Sequence, residues 1–242
     1  MSLLMSRLAL TVATCIAVLL FASASWAFPP YRSTDADTAE PWDLELRIGL
    51  IRAQRTAQTT AYSSPLGRIN LGIPWRLELI GEFEKRADAS KLADAAFGFK
   101  WVPVWAGPLS VGLEYLTLPP VSDAGGGGIE SQLVTTARPG PFRIHANGGA
   151  FFDRRPSPQE HGWLGSVLVE CSVGIARPGL ELAGKKNGSS PATVLAGAGV
   201  IIDVGPFDVR LGTHFGIGPE SPSWITNIWV ARAFHLSGAS SK

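Results

Sequence analysis

The chain of 242 residues carries 21 basic and 20 acidic side chains, which give a formal net charge of +1 at pH 7. This balance provides no strongly basic face, so we expect no nucleic-acid partner. Beyond the first 27 residues there is no apolar run of about 18 residues, which excludes a protein that crosses the membrane with helices. The 27 glycines and 18 prolines divide the chain into short segments. This composition favours many short β-strands in one domain.

Residues 1–27 are predicted to be a signal peptide. Arg7 is followed by an apolar run from Leu8 to Phe21 and then by small residues up to Ala27, an order that is typical of secretory signals. A retained membrane anchor is the alternative, but the run is shorter than the roughly 20 residues that a spanning helix needs. After cleavage Cys171 is the only cysteine, so no intrachain disulfide can form.

Residues 28–42 are polar and proline-flanked, and they show neither a helical nor a strand period. They are predicted to form an irregular lead-in to the strands that follow.

From Asp43 onward apolar and polar residues alternate, as in Leu44 and Leu46 against Glu45 and Arg47. A period of two predicts strands whose two faces meet different media. Strands are predicted at 43–54, 66–73, 76–86, 93–104, 109–118, 129–138, 142–153, 161–172 and 179–185, with three more within 192–234. Residues 57–64 are predicted to be a polar loop.

One apolar and one polar face fit either a soluble sandwich or an outer-membrane barrel, and the connections favour the barrel. Tight turns such as 74–75 and 105–108 alternate with longer polar loops such as 119–128 and 154–160. Bacterial outer-membrane barrels have this arrangement, with aromatic girdles at the membrane interfaces. Tryptophans lie near the predicted strand ends at Trp42, Trp75, Trp101, Trp105, Trp163 and Trp224.

The predicted fold is therefore all-β, a closed antiparallel up-and-down transmembrane β-barrel of about 12 strands. It covers residues 43–236 and is followed by a short tail at 237–242. We expect the protein in the bacterial outer membrane, in contact with outer-membrane lipid and inserted by the barrel-assembly machinery. The lead-in 28–42 then lies on the periplasmic side, from which it can enter the lumen.

Thirteen polar or charged residues fall on the parity that faces the lumen and are candidates for lining it. They are Glu45, Arg47, Arg68, Glu78, Glu82, Lys100, Glu114, Arg143, His145, Glu170, Glu181, Arg210 and His214. Since both signs occur on neighbouring strands, we expect ion pairs that narrow the lumen. The carboxylates Glu78, Glu82 and Glu84 could instead hold a cation. The same parity carries Gly197 and Gly212, where we expect polar replacement to cost less than arginine does at the outward residues Val200, Leu211 and Ile228.

The sequence predicts no enzyme, no metal site and no cofactor. A lipid-hydrolysing barrel would need a histidine and a serine two residues apart, whereas His145 is followed by Asn147. His161 and His214 have no Asp, Glu or Cys at metal-ligand spacing.

Both ends of the predicted barrel resemble a known family. The opening runs Pro30-Tyr31-Arg32-Ser33-Thr34-Asp35-Ala36-Asp37, followed by Glu40-Pro41 and a first strand, and the last three strands contain 195–199, 207–212 and 223–234. This pattern is similar to outer-membrane proteins described as meta-pathway of phenol degradation (MetA-pathway) proteins. Ala36 splits the aspartate pair of that family, and eight residues follow the terminal aromatic Phe234. The resemblance implies a barrel that passes or binds small hydrophobic compounds.

The function expected from the sequence is a narrow channel or carrier for a small-molecule solute, which could be hydrophobic or aromatic. The alternatives are a structural or sensing barrel with a blocked lumen and, third, an outer-membrane lipid hydrolase.

Overall fold

The computed structural model describes residues 30–56, 59–86, 92–120, 126–156, 158–218 and 220–236. The predicted signal peptide at 1–27, the first two residues of the predicted lead-in and the predicted tail at 237–242 lie outside the described residues. Twelve strands form in this part of the chain. They are β1 (Asp43–Thr56), β2 (Thr59–Ile73), β3 (Leu77–Arg86), β4 (Leu92–Ala106), β5 (Leu109–Leu118), β6 (Gly128–Ala137), β7 (Phe142–Asp153), β8 (Glu160–Cys171), β9 (Ala176–Asn187), β10 (Thr193–Val204), β11 (Phe207–Ile217) and β12 (Trp224–His235).

The strands close into one barrel. Each strand pairs with its neighbours in chain order, and β1 pairs with β12, from Asp43 opposite His235 to Gln54 opposite Trp224. Every pairing is antiparallel, so the barrel is up-and-down. The predicted fold is confirmed. Closure removes the edges that an open sheet would leave unpaired.

The alternation of the sequence becomes the two faces of the barrel wall. Outward side chains are large, apolar and exposed, as Ile48 at 61%, Leu180 at 69% and Phe215 at 60% show. Inward residues on the same strands, such as Arg47 and His214, are buried. A band of exposed apolar side chains around a closed barrel is the surface that outer-membrane barrels present to lipid. The described residues include no helix of the length and hydrophobicity needed to cross a membrane.

The connections differ between the two ends of the barrel. At one end, called here the short-connection end, they have two to four residues, as at 74–76 and 107–108. At the other, the long-connection end, five of the six have five to nine residues. The exception is the connection between β1 and β2, which has two residues. The polar loop predicted at 57–64 was wrong, because β2 begins at Thr59. The first residues of β2 are mostly polar, so they show no alternation of apolar and polar residues. The register also shifts between Ser63 and Leu66, which interrupts the alternation.

The described part of the lead-in, residues 30–41, has no regular structure and lies inside the barrel. We call it the N-terminal segment. It meets the wall at the short-connection end, where Trp42 N–H donates to the carbonyl of Gly72, and from there it runs inward.

Candidate functional site

The N-terminal segment occupies the centre of the lumen. Tyr31, Ser33, Thr34 and Ala36 are each at most 1% exposed, although they belong to no strand. Burial of an irregular backbone is costly unless its polar groups find partners. The wall of the barrel supplies them.

Glu181 on β9 is the most heavily used acceptor. Its carboxylate accepts from the backbone N–H of Ser33 at 2.5 Å, from the Ser33 hydroxyl at 2.6 Å and from the Arg32 N–H at 2.9 Å. On its other side it lies 2.6 Å from Nε2 of His214. A carboxylate with several donors makes stronger hydrogen bonds than a neutral acceptor, so Glu181 fixes the inner half of the segment.

The two aspartates of the segment contact basic residues of the wall. Lys100 Nζ lies 3.2 Å from Asp35 and 3.4 Å from Glu78. Burial acts on the pKa of Asp35 most strongly and raises it, but Lys100, His145 and Arg47 together hold that pKa well below its ordinary value. Asp35 is therefore a carboxylate at neutral pH and attracts Lys100.

Asp37 is held by two guanidinium groups. One carboxylate oxygen contacts Arg138, and the other lies 3.0 Å from Nη2 of Arg143. Between the aspartates, Ala36 is fully buried and packs with Val102 and Val134. A larger residue would not fit there, which accounts for an alanine between the two acidic residues.

A chain of hydrogen bonds fixes the backbone of Ala36. Its N–H donates to Thr136 Oγ1 at 2.8 Å, and that hydroxyl lies 2.9 Å from Nδ1 of His145. His145 Nε2 lies 3.1 Å from Glu170. The His145 ring therefore links Thr136, which holds the backbone of Ala36, to the carboxylate of Glu170.

Three further bonds complete the attachment. The carbonyls of Pro30 and Thr34 accept from Asn227 at 3.0 Å and from Asn147 at 2.9 Å. The N–H of Ala39 donates to Glu78 at 2.7 Å. Counting Asp35 with Lys100 and Thr34 with Glu114, side chains from seven strands bond to the segment: β3, β4, β5, β6, β7, β9 and β12.

A row of glycines makes room for the inner end of the segment. Gly179, Gly199 and Gly212 lie opposite one another on β9, β10 and β11. A Cβ at Gly179 would come within 2.6 Å of the Tyr31 hydroxyl, and one at Gly212 within 2.7 Å of the Pro30 carbonyl. These distances are shorter than van der Waals contact, so the wall must be bare here. Polar replacement at Gly212, which we expected to cost less than arginine on the outer face, therefore requires the segment to shift. At Gly197 an added Cβ would lie 2.3 Å from the His214 ring, so a neighbour has to shift there too.

The structure places the thirteen predicted lumen residues on the inward face of the wall. Five contact the segment directly, and three more are linked to it through another side chain. The remaining five form ion pairs with other charged residues of the wall. The direct group is Glu78, Lys100, Glu114, Arg143 and Glu181; the second group is His145, Glu170 and His214; the third is Glu45, Arg47, Arg68, Glu82 and Arg210.

The third group fills the lumen beside the segment. Glu45 bonds to Arg47 at 2.6 Å and to Arg210 at 2.9 Å. Arg68, which is 1% exposed, contacts Glu82 and lies 3.4 Å from Glu114. Ion pairing accounts for Glu78 and Glu82, and Glu84 accepts from the Ser63 hydroxyl at 2.5 Å.

Two kinds of interior residue were missed by the sequence reasoning. Thr136, Asn227 and Arg138 bind the segment, but a threonine, an asparagine and a turn arginine carry no distinguishing signal. Apolar side chains also face inward, among them Leu195 and Ile225 near the long-connection end. They belong to a cluster with Ile51, Leu66 and Trp229. In the sequence, the only sign of these inward apolar residues is a break in the alternation of apolar and polar residues.

Two cavities in the described part of the lumen are small. One cavity of about 50 Å³ lies between Arg32 and the wall residues Gln132, Ser166, Lys185 and Leu195. A second of about 30 Å³ lies beside Leu66, Leu118 and Trp229. Sites for small organic ligands usually measure about 300–1,000 Å³, so both cavities are of the size of a few water molecules.

Solved structures that resemble this barrel are outer-membrane proteins. An outer membrane channel from Pseudomonas putida F1 superposes with a TM-score of 0.61 at 10% sequence identity, over 83% of this chain and 98% of that one. The β-domain of a Bordetella autotransporter reaches 0.47 at 12% identity, over 79% and 99% of the two chains. A porin reaches 0.42 at 10% identity over 79% and 99%. No family model and no curated sequence matched the chain. The first likeness supports the fold, and the looser two carry no argument. With its apolar outer face, the protein is an outer-membrane β-barrel.

Proposed function

We propose that this outer-membrane barrel is a channel for small molecules whose lumen is closed by its own N-terminal segment. The observation that carries the proposal is the position of residues 30–41 across the lumen, bonded to side chains of seven strands. A twelve-stranded barrel is intermediate between barrels filled by side chains and open porins. In this protein the segment, together with the ion pairs beside it, fills that intermediate space.

The direct test is removal of the obstruction. A variant lacking residues 30–38 should give larger single-channel currents in planar bilayers and faster solute uptake in liposome swelling than the intact protein. Glu82→Ala is the matched control for the loss of one interior charge, because Glu82 contacts Arg68 and not the segment; it should raise the current much less than the deletion does. Equal currents in the intact and shortened proteins would contradict closure by the segment.

The solute class that we favour is small and at least partly apolar. The resemblance to the phenol-degradation family implies such compounds, and the interior cluster around Leu195 and Ile225 offers them an apolar surface. Uptake of phenol and of a sugar of similar size by the shortened variant would compare the two solute classes. Faster uptake of the sugar would contradict this preference.

A structural or sensing barrel without flux is the second candidate, since a segment this firmly bonded also suits a permanently filled lumen. It predicts that the intact protein gives no current under any voltage or solute, and that the shortened variant is strongly destabilised. The residues of the lipid-hydrolase alternative serve the segment instead: Asn147 donates to the Thr34 carbonyl, and His145 bonds to Thr136.

For orientation, we propose that the short-connection end faces the periplasm, as in bacterial barrels of this kind. Cysteines introduced at Gly126 and Gly140, at opposite ends, should differ in labelling by an impermeant reagent on whole cells. Labelling confined to position 140 would reverse the orientation.

A further inference from the structure

The attachment of Asp37 differs from that of Asp35 in ways that bear on ligand binding. Asp35 and Lys100 have side chains that are 14% and 3% exposed. The side chains of Asp37, Arg138 and Arg143 are 22%, 19% and 30% exposed. Solvent therefore reaches the cluster formed by Asp37, Arg138 and Arg143. Arg138 follows the last residue of β6 at the short-connection end, so this is the end from which solutes reach it.

Arg138 is held in place without Asp37. Its Nη1 donates to the Ser110 hydroxyl at 2.7 Å, and its backbone N–H donates to the carbonyl of Pro108 at 2.8 Å. Its guanidinium also lies 4.5 Å from the centre of the Trp105 ring, a distance at which a cation is attracted to the ring. The arginine is therefore positioned by the wall, and it keeps its orientation when the carboxylate leaves.

Arg143 completes the cluster from the second position of β7. Each guanidinium contacts a different oxygen of the Asp37 carboxylate, so together they clamp one carboxylate. Two positive charges face one negative charge, and guanidinium groups suit the planar shape of a carboxylate.

We propose that Arg138 and Arg143 form a binding site for small carboxylate solutes at the short-connection mouth, which Asp37 occupies as a tethered substitute. A solute with a carboxylate competes with Asp37 for the two guanidinium groups. Asp37 has the advantage of a short tether to β1, which gives it a high local concentration. Free carboxylates therefore bind weakly to the intact protein and more tightly once Asp37 is removed.

Acetate titrated into the purified barrel in detergent, at constant ionic strength and pH 7, tests this by calorimetry. Acetate should bind Asp37→Ala at least tenfold more tightly than the intact protein. Adding Arg143→Gln to that variant should weaken binding at least tenfold. Glu45→Ala is the matched control, because it removes an interior carboxylate that pairs with Arg47 and Arg210 and not with the segment, so Asp37 stays in the clamp. It should bind acetate like the intact protein, and methylammonium should bind none of the variants.

Arg143→Gln is preferred over a change at Arg138, whose packing on Trp105 also supports the turn; heat-modifiable migration on gels verifies that each variant is folded. Equal acetate affinity in the intact protein and Asp37→Ala, or affinity that survives Arg143→Gln, would overturn the site. The measurement reports binding and not flux. A failure of the proposed channel function would leave its result unchanged.

Discussion

Replacement of Glu181 by alanine is expected to release the N-terminal segment from the lumen. The substitution removes the acceptor of two backbone N–H groups and of the Ser33 hydroxyl. All three donors lie in the interior, where the described wall provides no second carboxylate within bonding distance of Ser33. Without this acceptor, the segment has a higher free energy inside the lumen than in a released position where the three donors bond to water.

The size of the effect follows from the number of bonds. A hydrogen bond to a charged group contributes about 1.5–3 kcal/mol. Two of the three bonds, with water replacing the third, amount to roughly 3–6 kcal/mol. Since about 1.4 kcal/mol changes an equilibrium tenfold, the ratio of seated to released segment should fall by roughly two to four powers of ten.

Accessibility of a buried cysteine measures that ratio. Thr34→Cys places a thiol on the segment at a fully buried position, in a Cys171→Ser background that removes the native thiol. The labelling rate by an impermeant reagent then reports the released fraction. We expect labelling at least 100-fold faster with Glu181→Ala, an order of magnitude set by the bond count.

Two controls give the reasoning its sharpest test. Glu181→Gln keeps one carbonyl oxygen for Ser33 and should raise the labelling rate much less than alanine does. Glu45→Ala removes a carboxylate that bonds to Arg47 and Arg210 and not to the segment, so labelling should not change. Slow labelling of Glu181→Ala, or equal acceleration by all three changes, would refute the role assigned to this carboxylate.

Three further predictions concern the contact of the segment with the wall glycines, the lipid-facing side of the barrel and the effect of pH. Gly179→Ala should displace the segment and accelerate labelling, because its Cβ would lie 2.6 Å from the Tyr31 hydroxyl. Tyr31→Phe removes that hydroxyl but leaves Cζ 3.0 Å from the Cβ, so it should restore slow labelling only in part. No slowing at all would contradict a clash with the hydroxyl. Ile228→Arg on the outer face should lower the free energy of unfolding in lipid by about 2–4 kcal/mol, against about 0–1 kcal/mol for Ile217→Arg at the strand end; equal costs would mean that the outer face does not meet a bilayer. The depressed pKa of Asp35 stabilises the seated segment above the ordinary aspartate pKa, and this contribution is lost as pH falls. The labelling rate, divided at each pH by that of an exposed cysteine so that the loss of reactive thiolate cancels, should therefore rise below about pH 4. Asp35→Asn should flatten that acceleration, and an unchanged profile would remove Asp35 as its cause.

The barrel could be predicted from the sequence because the pattern that indicates a strand lies within a few neighbouring residues. Alternation of Leu44 and Leu46 with Glu45 and Arg47 is visible within four residues, and it fixes which side chains face inward. The beginning of β2 escaped because Ser63 and Ser64 are polar on both parities and the register shifts there. Strands whose two faces are both polar give no periodic signal.

The position of the N-terminal segment could not be predicted in the same way. Residues 30–41 have no period, and their partners are scattered from Glu78 to Asn227 along the chain. Each partner is ordinary by itself. Asn227 and Thr136 are common on polar strand faces, and only the closed barrel brings them to one side of the segment.

The inner wall is complementary to the segment residue by residue, and this distinguishes a built-in occupant from a chain end that happens to enter the lumen. Gly179 and Gly199 are bare where Tyr31 presses against the wall, whereas Glu181, two residues from Gly179, binds the backbone that follows Tyr31. A glycine next to an inward carboxylate would weaken a strand without benefit if the lumen were empty. The same positions in an open channel would leave Glu181 and His214 to water. The wall therefore makes most physical sense with the segment seated, and any open state has to solvate the carboxylates and arginines that the segment now neutralises.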